Sequence, residues 1–94
     1  MANNVETVDG WDVDDVKIFP FKANHFILKV HLTDPHSDRE GFYNPRVKDG
    51  EVYPDPRGDQ FDPFNPNRVN VEPGSSCWDK MVQYIFHKAI FPKG

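Results

Sequence analysis

Four residues at the end of the most strand-like segment could hold a metal ion. His31, Asp34, His36 and Asp38 form the run His-x-x-Asp-x-His-x-Asp. Two imidazoles and two carboxylates this close in sequence suit a divalent cation, although their spacing matches no closed structural-zinc pattern. The same residues also read as turn chemistry, because Asp34-Pro35 and Ser37-Asp38 are turn formers and His31 sits on a half-exposed strand face. Further along, Asp55, Asp59, Asp62, Asn65 and Asn67 are oxygen-rich enough for calcium but lack the spacing of an EF-hand loop, so they read as a solvated loop. Arg57-Gly58-Asp59 within that run reads as a turn.

Cys77 is the only cysteine. An internal disulfide is therefore excluded, and a reducing compartment is expected. It stands in Gly74-Ser75-Ser76-Cys77-Trp78 at the start of a helix, where the dipole lowers the pKa of a thiol. This short segment locally resembles the nucleophile segment of papain-like proteases, in which a cysteine followed by Trp opens a helix. The resemblance implies a thiolate nucleophile at Cys77 served by a histidine base. That family places its histidine and asparagine far downstream, so here His25, His31 or His36 would serve, in the reverse chain order. The simpler reading is a small buried residue beside the apolar stripe of the helix.

That helix is expected over residues 75–91. Trp78, Met81, Val82, Ile85, Phe86, Ala89 and Ile90 recur at i, i+3, i+4, i+7 spacing and define one broad apolar stripe, with Trp78 and Phe86 placed in the central core. Ser76 is expected to cap the first turn and Asp79 to complement its positive end. Lys88 and Pro92 close the other end. Tyr84 and Phe91 lie on one line beside Lys80 and His87, away from the stripe, and are expected to contact another chain.

The rest of the chain supplies a sheet. Residues 1–10 are polar and read as a loose leader, ended by Trp11, which should clip onto the domain while Asp12, Asp14 and Asp15 stay in water. Residues 16–21 read as a strand that Pro20 confines to an edge or gives a bulge. His25 to Leu32 alternates so that Phe26, Leu28, Val30 and Leu32 face the helix, and a short turn pairs it antiparallel with the preceding strand. Thr33 to Gly41 is turn-rich. Asp49-Gly50 predicts a type I′ hairpin with Lys48 opposite Glu51, Val47 opposite Val52 and Arg46 opposite Tyr53. Residues 54–67 carry four prolines, with Phe61 and Phe64 as their apolar anchors, and read as a long extended loop. Arg68 to Glu72 reads as a last strand. The fold class is thus α+β in a single domain over 1–94: a small antiparallel sheet of four or five strands against one C-terminal amphipathic helix.

Net charge is -4, with Glu6, Asp9, Asp12, Asp14 and Asp15 gathered near the start and Lys17, Lys22 and Lys29 following them. No basic stripe is visible along the sequence, so no nucleic acid partner is expected. No apolar run is longer than three residues, as in Phe26-Ile27-Leu28, which excludes a spanning helix and points to a cytoplasmic protein without a membrane partner. No cofactor is expected. The functional expectation is a non-catalytic protein–protein interaction protein, either a small accessory subunit or a regulator or inhibitor of a larger protein, with homo-oligomers as a further possibility. Its partner-binding residues are expected to be Phe61, Phe64, Tyr84, Phe91, Lys80 and His87. The alternative is a small metal-binding or thiol-dependent enzyme using His31, His36 and Asp38 or Cys77.

Overall fold

The computed structural model describes residues 5–56 and 67–88. Strands β1 (Asp12–Lys22) and β2 (His25–Thr33) form an antiparallel hairpin closed by Ala23-Asn24, in which Asn24 takes the left-handed conformation that asparagine tolerates. β1 starts four residues earlier than its apolar pattern suggests. Its ladder shifts between Val13 and Asp15 and again between Pro20 and Lys22, so the proline sits at an irregularity on an edge strand, as its missing donor requires.

Three short strands complete the antiparallel sheet: β3 (Glu40–Tyr43), β4 (Arg46–Lys48) and β5 (Glu51–Tyr53). The hairpin β4–β5 has the expected register, and Asp49 and Gly50 both adopt positive φ, at 52° and 81°. β3 lies partly in the stretch expected to be turn. It pairs with the second half of β2 while β4 pairs with the first half, in one unbroken register. Between them Pro45 has no N–H to give the Leu28 carbonyl. The Asn44 side chain donates that hydrogen bond instead, at 3.0 Å, while the Leu28 N–H bonds the Pro45 carbonyl at 3.0 Å. A buried proline is thereby accommodated opposite β2 within the sheet.

Helix α1 (Ser76–Lys88) packs over β1. The core joins Leu28, Val30, Leu32, Tyr43 and Val47 of the sheet to Cys77, Met81 and Ile85 of the helix. Val8, Trp11, Val69 and Val71 join it from the flanks, and Trp78 packs at its margin with its ring edge-on to Tyr43 at 6.5 Å between centroids. The sheet with its single described helix is the expected α+β architecture.

Three local expectations are corrected. Phe86 is 45% exposed, not central. The buried side is centred on Cys77, Met81 and Ile85, turned by roughly a fifth of a turn from the expected stripe, because the flanking segments add Val8 and Trp11 on that side. The leader is held at residues 6–9: Asn70 N–H bonds the Glu6 carbonyl at 2.7 Å, Val8 N–H bonds the Asn70 carbonyl at 2.9 Å, and Val8 is buried. Finally, residues 68–72 form no regular strand; they make isolated parallel bridges from Arg68 to Phe42 and from Asn70 to Thr7. The expected loop 57–66 and the helical residues 89–91 lie outside the described residues.

Candidate functional site

Alternation along β2 sends Leu28, Val30 and Leu32 into the core and His25, Ile27, Lys29 and His31 to the opposite face. Registers extend that open face across the sheet in rows: Lys22, His25 and Lys48; then Phe19, Ile27, Arg46 and Tyr53; then Lys17 and Lys29; then Asp15, His31 and Phe42. Phe21 and Tyr53 remain 49% and 40% exposed at this end, while Ile27 and Arg46 in the row of Tyr53 are buried.

Cations lie over the aromatic rings here. Lys22 and Arg46 stand 5.3 and 5.6 Å from the Phe21 centroid, Lys29 4.6 Å from Phe42, and Lys48 4.6 Å from Tyr53. His25 packs edge-on to Phe21. Burial first, and then the neighbouring Arg46, Lys48 and Lys22, hold the His25 imidazolium below its ordinary pKa, which marks this end of the face as positive.

The other end is built around His31. Its Nδ1 lies 2.9 Å from an Asp14 carboxylate oxygen and its Nε2 2.6 Å from Glu40, and the ring stacks on Phe42. Carboxylates only accept, so both ring nitrogens donate when the histidine is doubly protonated. Burial lowers the pKa, but the hydrogen bonds from His31 to Glu40 and Asp14 outweigh it and raise the value. A cavity of about 240 Å³ opens beside it, lined by Asp14, Asp15, Lys17, Lys29, His31 and Phe42.

The four metal-ligand candidates are not gathered. Asp34 accepts hydrogen bonds from the His36 N–H and the Ser37 hydroxyl, both at 2.9 Å, closing its own turn and lowering its pKa. His36 and Asp38 are exposed on that turn, and His31 faces Asp14 and Glu40 instead. Among the described residues no group of three or more His, Cys, Asp or Glu side chains is arranged to hold a metal. Asp14 and Glu40 were missed because only the β1–β2–β3 register brings them to His31.

Cys77 is fully buried, and burial raises its pKa; the thiol donates weakly to the Trp11 carbonyl at 3.7 Å. The expected lowering by the helix dipole is thus overturned. The positive end of the helix is occupied by Asp9, whose Oδ1 accepts from Cys77 N–H at 3.0 Å and from the Ser76 hydroxyl at 2.8 Å. Those bonds, the Cys77 N–H first, lower the Asp9 pKa. The cap on the chain side is Ser75 rather than Ser76, through its hydroxyl and Trp78 N–H.

Of the residues expected to bind a partner, Lys80, Tyr84 and His87 line one surface concavity of about 370 Å³ with Gln83. Two of them also tie α1 to β1: Lys80 pairs with Asp12 at 3.3 Å and the Tyr84 hydroxyl donates to the Asp14 carbonyl at 3.3 Å. Phe61, Phe64 and Phe91 lie outside the described residues. The ends of the segment bearing Phe61 and Phe64 are pinned together, since Arg68 Nη2 contacts both oxygens of the buried Asp55 carboxylate at 2.9 and 2.8 Å. Tyr43 supports the same corner by accepting Asp55 N–H on its hydroxyl.

The fold and these surfaces define a small α+β protein with one sheet face open and one helix surface exposed. Among the described residues no helix is long and apolar enough to cross a membrane. Comparison with known protein families, with curated proteins and with solved structures finds no match to this chain.

Proposed function

We propose that the chain is a non-catalytic interaction protein of the cytoplasm, an accessory subunit or a regulator or inhibitor that docks on a larger protein through the outer surface of α1. The observation that carries this reading is Phe86. A phenylalanine 45% exposed on an otherwise polar helix surface, beside the concavity formed by Lys80, Gln83, Tyr84 and His87, has the aromatic and cationic composition of an interface anchor. The buried, high-pKa thiol and the dispersed metal-ligand candidates give the enzymatic alternative less support. Affinity capture of the tagged chain from its native source, followed by the intact mass of the complex, tests the proposal. A defined heteromer with a larger protein is expected; a monomer or a homo-oligomer with nothing else retained counts against it.

A further inference from the structure

The net charge of -4 hides a local cluster of cations. Lys17, Lys22, Lys29 and Lys48 are far apart in sequence, yet the strand registers place them on one face around two exposed rings, Phe21 and Tyr53. Successive rows are about 6.6 Å apart at the rise of a strand. Arg46 lies between the rings, over Phe21 and opposite Tyr53. Of the acidic groups on this face, Asp14 and Glu40 close on His31 at the far end, Asp15 lines the cavity there beside Lys17 and Lys29, and Glu51 stands at the margin opposite Lys48.

This arrangement conflicts with what stability alone favours. Lys17 sits directly opposite Lys29, and like charges in that position weaken a sheet. Exposed rings framed by cations are, in contrast, what a flexible polyanion with flat apolar groups needs: phosphates follow the cations and bases stack on the rings whatever their sequence. A duplex encloses its bases, which keeps them from stacking on the rings.

We propose that the basic, aromatic half of the open sheet face binds single-stranded nucleic acid, with phosphates along Lys17, Lys22, Lys29 and Lys48 and bases stacked on Phe21 and Tyr53. This surface is separate from the exposed side of α1 and does not depend on the protein partner proposed above.

The test uses the full chain and a labelled twelve-nucleotide oligo-dT, with a duplex of equal length and a polyglutamate peptide as competitors, read by fluorescence anisotropy. Oligo-dT should bind at least about tenfold more tightly than either competitor. Four phosphate contacts would weaken binding about fiftyfold between 50 and 200 mM salt. Lys22→Glu with Lys48→Glu should reduce affinity more than about tenfold and Tyr53→Ala about tenfold, whereas Lys88→Glu at the end of the helix should leave it unchanged. If the charge-reversed chain does not fold, amide shifts of the wild type on titration with oligo-dT decide the matter: they should centre on β1, β4 and β5. Absence of binding at 50 mM salt, equal or tighter binding of polyglutamate or duplex, or shifts centred on α1 would each overturn the proposal.

Discussion

Lys17 and Lys29 face each other directly across the β1–β2 ladder, both on the open face of the sheet. A pair of like charges in this position costs stability, although Lys29 also lies over the Phe42 ring. Lys17→Glu converts the repulsion into attraction and should raise stability by about 0.2–1 kcal/mol in urea unfolding, while lowering affinity for oligo-dT severalfold. Loss of stability in this variant would show that the pair is a structural fit and not a functional compromise.

His31 predicts a pH dependence. Its folded-state pKa lies above the ordinary value of 6.5. The stabilisation from its bonds to Asp14 and Glu40 is therefore complete below that value and is lost as pH rises through the folded pKa. Chemical unfolding of the wild type should show falling stability across that window on the alkaline side of 6.5. His31→Gln should flatten this dependence. An identical pH profile in the variant would remove the histidine from the account.

Asn44 predicts a loss that its polarity alone does not suggest. Its side chain supplies the donor that Pro45 cannot give to the buried Leu28 carbonyl. Asn44→Ala leaves that acceptor unpaired, at a cost of about 1–3 kcal/mol, and Asn44→Asp should do no better because a carboxylate has no donor. Equilibrium unfolding of both variants provides the check; an alanine variant as stable as the wild type would mean that the carbonyl finds another partner.

Much of the sheet was legible because its signals are local. Asp49-Gly50 dictates the register of its hairpin, the alternation of residues 25–32 assigns faces, and Trp11 packs where an indole beside Val13 and Val16 should. β3 was hidden by Gly41, which reads as a turn but serves a close approach: a Cβ there would lie 2.6 Å from a Val69 methyl. The helix direction was clear, yet its rotation depends on Val8 and Trp11 arriving from the other end of the chain, which periodicity within the helix cannot report. The open-face cations were invisible for the same reason. Residues 17, 22, 29 and 48 form no stripe until the registers align them. Likewise Asp14 and Glu40 meet His31 only through pairing, whereas the nearer Asp34 is consumed by its own turn.

The orientation of α1 and its role as a docking surface are tested together by two adjacent residues. Ile85 is fully buried and Phe86 is 45% exposed. Ile85→Ala should cost about 2–5 kcal/mol, whereas Phe86→Ser, at a half-exposed ring, should cost about 1 kcal/mol. The decisive measurement is capture of the native partner by the folded Phe86→Ser chain, compared with wild type by the intact mass of the complex. The account predicts a chain that stays folded at the capture temperature with the complex lost. A Phe86→Ser chain that unfolds, or one that remains folded and still retains the full complex, would contradict it.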